Sequence, residues 1–250
     1  MGKRKILRCA ALAAALLVMM TSAALAAEKA GENRPLLVNG QHSLPEGYRV
    51  ELVSLKNGMQ VDKRVYEDLN KMLSDCQAAG LEPLVCSAYR TQATQTRLYN
   101  NKVSRLRVAG YGREAAQKEA ARWVAMPGTS EHQTGLALDL VSAGYQILDG
   151  KQAETPEQRW LMEHCWEYGF ILRYPVDKGG VTGIGYEPWH YRYVGKEYSA
   201  VIHESGLCLE EYLDLLDTLP SEGTVSRLVW ETAMGKSCDF HGTAKNQKWI

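Results

Sequence analysis

The segment Ser130-Glu131-His132-Gln133-Thr134-Gly135-Leu136-Ala137-Leu138-Asp139 constrains the fold more than any other stretch of this chain. Pro127 and Gly128 precede it and Gly135 interrupts it, so it does not read as one continuous helix. Read as a strand, Leu136 to Val141 turns Leu136, Leu138 and Leu140 to one face and Ala137 and Asp139 to the other. Three leucines in register require a core on their side. Asp139 then faces a cleft, beside a small alanine. His132 lies seven residues before Asp139. A turn at Gly135 folds the two pieces so that His132 and Asp139 converge, and an extended segment would place Ser130 on the same face as His132.

A second cluster, Glu187-Pro188-Trp189-His190, follows about fifty residues later. Trp189, Tyr191 and Tyr193 alternate with His190, Arg192 and Val194, giving an aromatic packing face and a face able to carry a ligand. In a regular strand Glu187 and His190 would point apart, so a bend at Pro188 is needed to bring both into one cleft. Taken singly, each of these residues has a plainer reading as a surface or hydrogen-bonded structural group. Together they supply two imidazoles, a carboxylate and a spare carboxylate. That is the set of a hydrolytic zinc centre: His132, Asp139 and His190 as ligands, an open position for water, and Glu187 as general base. Arg90, which follows the apolar run Leu84–Tyr89, is the candidate to stabilise an oxyanion or hold a substrate carboxylate in a bidentate fork.

The chain has 250 residues, 45% hydrophobic and 23% charged, which suits one sizeable core with a small appendage. No internal repeat is present. Residues 1–26 stand apart as a signal peptide: Lys3, Arg4, Lys5 and Arg8, an apolar run from Cys9 to Met20, then Ala24-Leu25-Ala26. The alternative is an uncleaved membrane anchor. Cleavage after Ala26 would leave 25 Lys+Arg against 29 Asp+Glu, a net charge of −4. No basic stripe remains for phosphates, which argues against a nucleic-acid partner. Export implies a secreted or cell-envelope location. It also permits disulfides, but Cys76, Cys86, Cys165, Cys208 and Cys238 cannot all pair within one chain. Cys76 and Cys86 either pair across a helix-to-strand turn or are small buried hydrophobes.

Residues 27–45 read as an extended lead-in, 46–219 as the domain and 220–250 as a tail without clear period. Within the domain, Tyr48–Val53 alternates as a strand. Val61–Ala79 has helical spacing and ends at Gly80, and Leu84–Tyr89 is a buried strand. Thr91 caps a helix, Gly110 and Gly112 break it, and Arg113–Val124 resumes it. Thr155 and Pro156 start a helix that stops at Gly169. Gly179–Gly185 is a glycine-rich loop before the His190 strand, and Gly206–Leu219 is the last helix. Intermixed helices and short strands, without a GxGxxG or P-loop, predict a single α+β domain with a mostly antiparallel sheet flanked by helices.

The pattern Ser130-x-His132-x-x-Gly135-x-Ala137-x-Asp139, with Glu187-x-x-His190, resembles the VanY-type D-alanyl-D-alanine carboxypeptidases, zinc peptidases that share their fold with the hedgehog signalling domain. Ser87-Ala88-Tyr89-Arg90-Thr91 with Gln95 resembles the same family's substrate-binding strand and turn, and Trp160–Pro175 its helix and following strand. The resemblance runs from about Gly40 to Leu216. It implies zinc held by His132, Asp139 and His190, Glu187 as general base, and Arg90, Ser130 and Gln95 as substrate-binding residues. Ser130 thus reads as a substrate contact and not a nucleophile. The implied reaction is hydrolysis of the terminal D-Ala of peptidoglycan stem peptides. L,D-carboxypeptidase, D,D-dipeptidase and a non-catalytic zinc-stabilised binding module are the alternatives.

Overall fold

A four-stranded sheet in the order β3-β4-β6-β5 carries the site, and all of its neighbours run antiparallel. The computed structural model describes residues 34–218. The signal segment, the whole of the tail and Cys238 lie outside them. Strands β1 (Leu52–Ser54) and β2 (Gln60–Asp62) form a separate hairpin. Helix α1 (Lys63–Ala78) follows directly, and then β3 (Pro83–Ser87), α2 (Gln92–Val108) and α3 (Arg113–Ala121). After β4 (Ala137–Ser142) come α4 (Pro156–His164), β5 (Phe170–Leu172), the single helical turn α5 (Gly179–Thr182) and β6 (His190–Tyr193). Helices α6 (Lys196–Ser205) and α7 (Leu209–Thr218) close the described chain. Pro35–Asp214 make one compact unit; Arg34 and the end of α7 belong to another that lies mostly outside the described residues.

Local chemistry explains the main elements. Asp62 caps α1 by accepting from Arg64 N at 2.9 Å, and the helix buries Val65, Leu69, Met72 and Cys76 along one stripe. It ends at Gly80, whose φ of +81° suits a residue without a Cβ. Thr91 caps α2 and Thr155 caps α4, with Pro156 in the first turn. The leucine face of β4 behaves as expected: Leu136, Leu138 and Leu140 join Leu69, Met72, Leu161, Phe170 and Tyr191 in one core. Burying each such leucine contributes roughly 1.5–3 kcal/mol. Helices α1 and α4 cover this face, and the opposite face carries Asp139 in β4 and His190 and Arg192 in β6, all buried.

Several local expectations needed correction. The strand expected over Tyr48–Val53 is shorter and later, at Leu52–Ser54; Tyr48 instead donates its hydroxyl to Thr134 O at 3.3 Å. Ser130–Thr134 is not extended. Glu131–Thr134 forms a 3-10 turn, because Gln133 N bonds Ser130 O at 3.0 Å and the Thr134 hydroxyl bonds Glu131 O at 2.5 Å. Ser130 and His132 therefore do not share a strand face. Helix α6 was not anticipated, since its buried Tyr198, Ser199 and Ile202 make too short a stripe to stand out. The glycine-rich loop contains α5. Part of the lead-in belongs to the domain, with Val38 wholly buried. Cys76, Cys86, Cys165 and Cys208 are free thiols, so the Cys76–Cys86 pairing is not formed. Cys76 and Cys165 pack as core hydrophobes, while Cys86 donates to Asp139 O at 3.4 Å.

Gly135 is the hinge between turn and strand. Its φ is +74°, and a Cβ there would lie 2.8 Å from Val50 Cγ2 and 2.9 Å from the Asp62 backbone nitrogen. Gly135→Ala is therefore expected to cost about 3 kcal/mol of stability, read as a lowered urea midpoint at unchanged slope. An unshifted midpoint would contradict this account of the hinge.

Candidate metal centre

Strand register brings the first pair together. Asp139 in β4 pairs directly with His190 at the start of β6 and, on its other side, with Ser87 in β3. A bulge between Val85 and Ser87 adjusts β3 at this point. The 3-10 turn then swings His132 over the same spot, tied to the loop after β3 by Arg90 N donating to His132 O at 3.1 Å. His132 Nε2 lies 3.3 Å from Asp139 Oδ1, and His190 Nδ1 lies 3.2 Å from the same oxygen. One ligand atom from each of the three residues falls within 4.8 Å of the others, and all three residues are buried. The imidazoles meet edge-on, 4.9 Å between centroids. The bend at Pro188 is a turn in which His190 N bonds Glu187 O at 3.2 Å, bringing Glu187 Oε2 to 3.8 Å from His190 Nδ1.

Each imidazole has one nitrogen held by the protein and one aimed inward. His132 Nδ1 lies 2.8 Å from the carbonyl oxygen of Ala88, an acceptor only, so that nitrogen carries the proton and Nε2 is free to coordinate. His190 points its Nδ1 inward. Two imidazoles and one carboxylate converging in a buried site fit a divalent cation of borderline softness such as zinc, which would take the place of the proton on His190 Nδ1.

The electrostatics separate these groups. Burial, aided by the Arg90 guanidinium, depresses the His132 pKa to about 4 against the pull of Asp139. For His190, burial works in the same direction, but hydrogen bonds to the Asp139 and Glu131 carboxylates overcome it and raise the pKa to about 9. Burial would raise Asp139, yet His132, His190 and Arg90 hold it well below the usual range. Glu187 goes the other way: burial, reinforced by Asp139 and Glu131 and opposed by His190 and Arg90, pushes it up to about 8. Two carboxylates with widely separated affinities for a proton in one cleft are characteristic of acid–base chemistry.

The chain is similar to known proteins. The family model of VanY, D-alanyl-D-alanine carboxypeptidase, matches residues 58–196. The chain belongs to the VanY family. A D-alanyl-D-alanine carboxypeptidase of Enterococcus faecalis is 44% identical over 179 residues, which cover 72% of this chain and 65% of that protein. This VanY-family chain thus spans just under two thirds of that curated relative. Among solved structures, VanYB in complex with D-alanine-D-alanine is 45% identical with a TM-score of 0.66, covering 72% of this chain and 96% of that one. A mutant of the vancomycin-resistance D,D-pentapeptidase VanY in complex with Zn(II) is 44% identical with a TM-score of 0.66, covering 71% and 97%. The expected α+β architecture with an antiparallel sheet is the fold of this VanY-family chain.

Within that frame, the remaining expected residues take distinct positions. Arg90 Nη2 donates to Asp139 Oδ2 at 2.7 Å and its Nε to Ser87 Oγ at 2.9 Å, so the guanidinium braces the acid as well as facing the cleft. Gln95 has no exposed surface; its amide donates to Ala125 O at 2.7 Å and its oxygen accepts from Arg90 at 3.5 Å. It stands behind Arg90 and not in the cleft. Ser130 begins the 3-10 turn beside Glu131 and is 3% exposed. Sequence reasoning singled out neither Glu131, Arg173 and Arg192 nor Tyr174, whose ring lies 4.8 Å from that of His190. Glu131 occupies an unspecified position of the quoted pattern and the arginines lie outside it, so their burial is what reveals them.

Proposed function

We propose that this chain is a zinc-dependent carboxypeptidase that removes the terminal D-Ala from peptidoglycan stem peptides outside the cytoplasmic membrane. The observation that carries the proposal is the convergence of His132 Nε2, Asp139 Oδ1 and His190 Nδ1 beside the buried Glu187 in a VanY-family fold. His132, Asp139 and His190 would hold the metal. Zinc bound there would polarise the scissile carbonyl and lower the pKa of water to about 7. Glu187 Oε2 accepts the proton of the attacking water and passes it to the leaving amine. Arg90, whose side chain keeps 17% of its exposure, meets the terminal carboxylate of the substrate, and Ser130 contacts the peptide. The signal-type segment 1–26 supports a secreted or cell-envelope location, where such peptides occur.

The test is incubation of the purified, zinc-loaded protein with penta-, tetra- and dipeptides, with and without chelator. Release of D-Ala from the pentapeptide alone, abolished by chelator, is the expected result. Release from the tetrapeptide alone would identify an L,D-carboxypeptidase, and cleavage of free D-Ala-D-Ala a dipeptidase. Tight zinc binding with no release from any of them would identify a binding module. Cell fractionation tests the location: a product shortened by 26 residues outside the cells is expected, and a full-length membrane-bound product would mean an anchor.

Metal uptake should depend on pH. The metal-free site holds a proton on His190 up to about pH 9, and coordination through Nδ1 must displace it. Zinc affinity, measured by chelator competition, is therefore expected to rise by close to, and not more than, about tenfold per pH unit between pH 7 and 8.5. A flat profile over that interval would remove His190 from the ligand set.

A further inference from the structure

Behind His190 lies a buried ionic cluster that the proposed hydrolysis does not itself require. Glu131 sits in the 3-10 turn, and its side chain has no exposed surface. Its Oε1 accepts from Arg173 Nε at 2.8 Å and from Arg192 Nη1 at 2.6 Å. Both guanidiniums are fully buried. Arg173 also donates to Glu210 at 2.6 and 2.8 Å, and Glu210 accepts from Asn39 at 3.0 Å. Arg192 donates onward to Leu36 O at 2.7 Å and Tyr193 O at 3.0 Å. Two arginines against two glutamates make the cluster neutral. Desolvating four charges is costly, and apolar residues of similar volume would fill the space at less cost. The cluster is also asymmetric. Both arginines load Oε1 of Glu131, which leaves Oε2 facing His190 Nε2 at 3.4 Å.

We propose that Glu131 is a positioning residue for His190: it accepts the Nε2 proton, fixes the ring and tautomer, and so presents Nδ1 to the metal. Arg173 and Arg192 hold the Glu131 carboxylate in its ionised, oriented form. The inference rests on the metal-site reading above. Two observations carry it. First, a carboxylate only accepts, so Glu131 Oε2 at 3.4 Å keeps a proton on His190 Nε2, and Nδ1, 3.2 Å from Asp139 Oδ1, is the nitrogen left to give up its proton to a metal. Second, His132 is arranged in the mirror sense, with Nδ1 on the Ala88 carbonyl and Nε2 inward. The two ligands thus have opposite tautomers, each set by the group behind it: a neutral carbonyl for one and a charged, doubly arginine-braced carboxylate for the other. A carboxylate behind a coordinating imidazole raises its basicity and restricts its rotation. The cluster also couples the turn carrying His132 to the strand carrying His190, because Glu131 is the neighbour of one ligand in sequence and of the other in space.

The zinc-loaded, isotope-labelled wild-type protein tests this without a substitution. Long-range proton–nitrogen correlations are expected to show His190 protonated at Nε2 and His132 protonated at Nδ1, with the His190 N–H exchanging slowly. Glu131→Asp keeps a charge beside Arg173 and Arg192 but draws the carboxylate back from His190 by one methylene. It is expected to fold, to bind zinc roughly tenfold more weakly by chelator competition, and to lose kcat with little change in KM. Glu131→Gln, if it folds with two underneutralised arginines, should weaken zinc binding by up to about a hundredfold. His190 protonated at Nδ1, or wild-type zinc affinity in Glu131→Asp, would overturn the proposal. A wild-type protein that binds no zinc overturns the metal reading and this proposal with it. Tight zinc binding without the His190–Glu131 hydrogen bond overturns this proposal alone.

Discussion

Glu187→Ala should bind zinc as tightly as the parent protein and release D-Ala about a thousandfold more slowly, within the usual contribution of a general base. The separation follows from position. Glu187 Oε2 stands 3.8 Å from His190 Nδ1, close enough to serve a water at the metal, but it lies outside the His132, Asp139 and His190 set. The variant should also have a stability signature. Burial raises the Glu187 pKa to about 8, against an ordinary carboxyl value of 4.5. A carboxyl with a raised folded pKa destabilises the folded state above its unfolded pKa, and the cost grows until the pH passes the folded one. The metal-free variant is therefore expected to melt at a higher temperature than the metal-free parent at pH 8, less what the small cavity costs. At pH 4 this gain should vanish, leaving only the cavity cost. Such a gain would mark Glu187 as a group retained for chemistry at the expense of stability. Full hydrolytic activity in this variant would sink the mechanism, and loss of zinc would move Glu187 into the ligand set.

The second large effect belongs to His132→Ala. His132 is 3% exposed, anchored through Nδ1 on the Ala88 carbonyl, and turns Nε2 toward Asp139 Oδ1 at 3.3 Å. Removing one of three protein ligands should weaken zinc binding well beyond the ten- to hundredfold typical of residues behind the ligands. After dialysis the variant should hold no stoichiometric zinc by elemental analysis and show no hydrolysis. Thermal melts give an independent reading. At a thousandfold excess over its dissociation constant, zinc stabilises a protein that binds it only when folded by about 4 kcal/mol. The parent should show that increment and the variant should not. Wild-type zinc stoichiometry in His132→Ala would rule out the ligand assignment.

Much of this was legible in the chain because the informative residues are periodic or lie in short local patterns. The period-two alternation of Leu136, Leu138 and Leu140 against Ala137 and Asp139 predicted which face of β4 packs into the hydrophobic core, and the core confirms it, although both faces are buried. Gly80, Thr91, Thr155 and Pro156 act at helix ends, where a single side chain satisfies or omits a backbone group, so their positions read directly. The 3-10 turn at Glu131–Thr134 leaves no such trace. Its deciding bonds, from the Thr134 hydroxyl and from Gly135 N, produce no hydrophobic period. Helix α6 escaped because two turns give too few buried positions to establish one. Gln95 was placed in the cleft by resemblance, whereas its complete burial behind Arg90 depends on α2 packing against the segment ending at Ala125.

The sequence by itself determined the candidate donor set, the leucine core face, the need for a turn at Gly135 and a bend at Pro188, and the resemblance to the family. These follow from residue type and spacing along one chain. Only the tertiary structure decided which nitrogen each histidine turns inward, that Arg90 braces Asp139, and that Glu131 stands behind His190 between two arginines. The reason is physical. A side chain's charge, tautomer and free lone pair are set by partners brought close by strand register and burial, and those partners lie tens of residues away, where no local period records them.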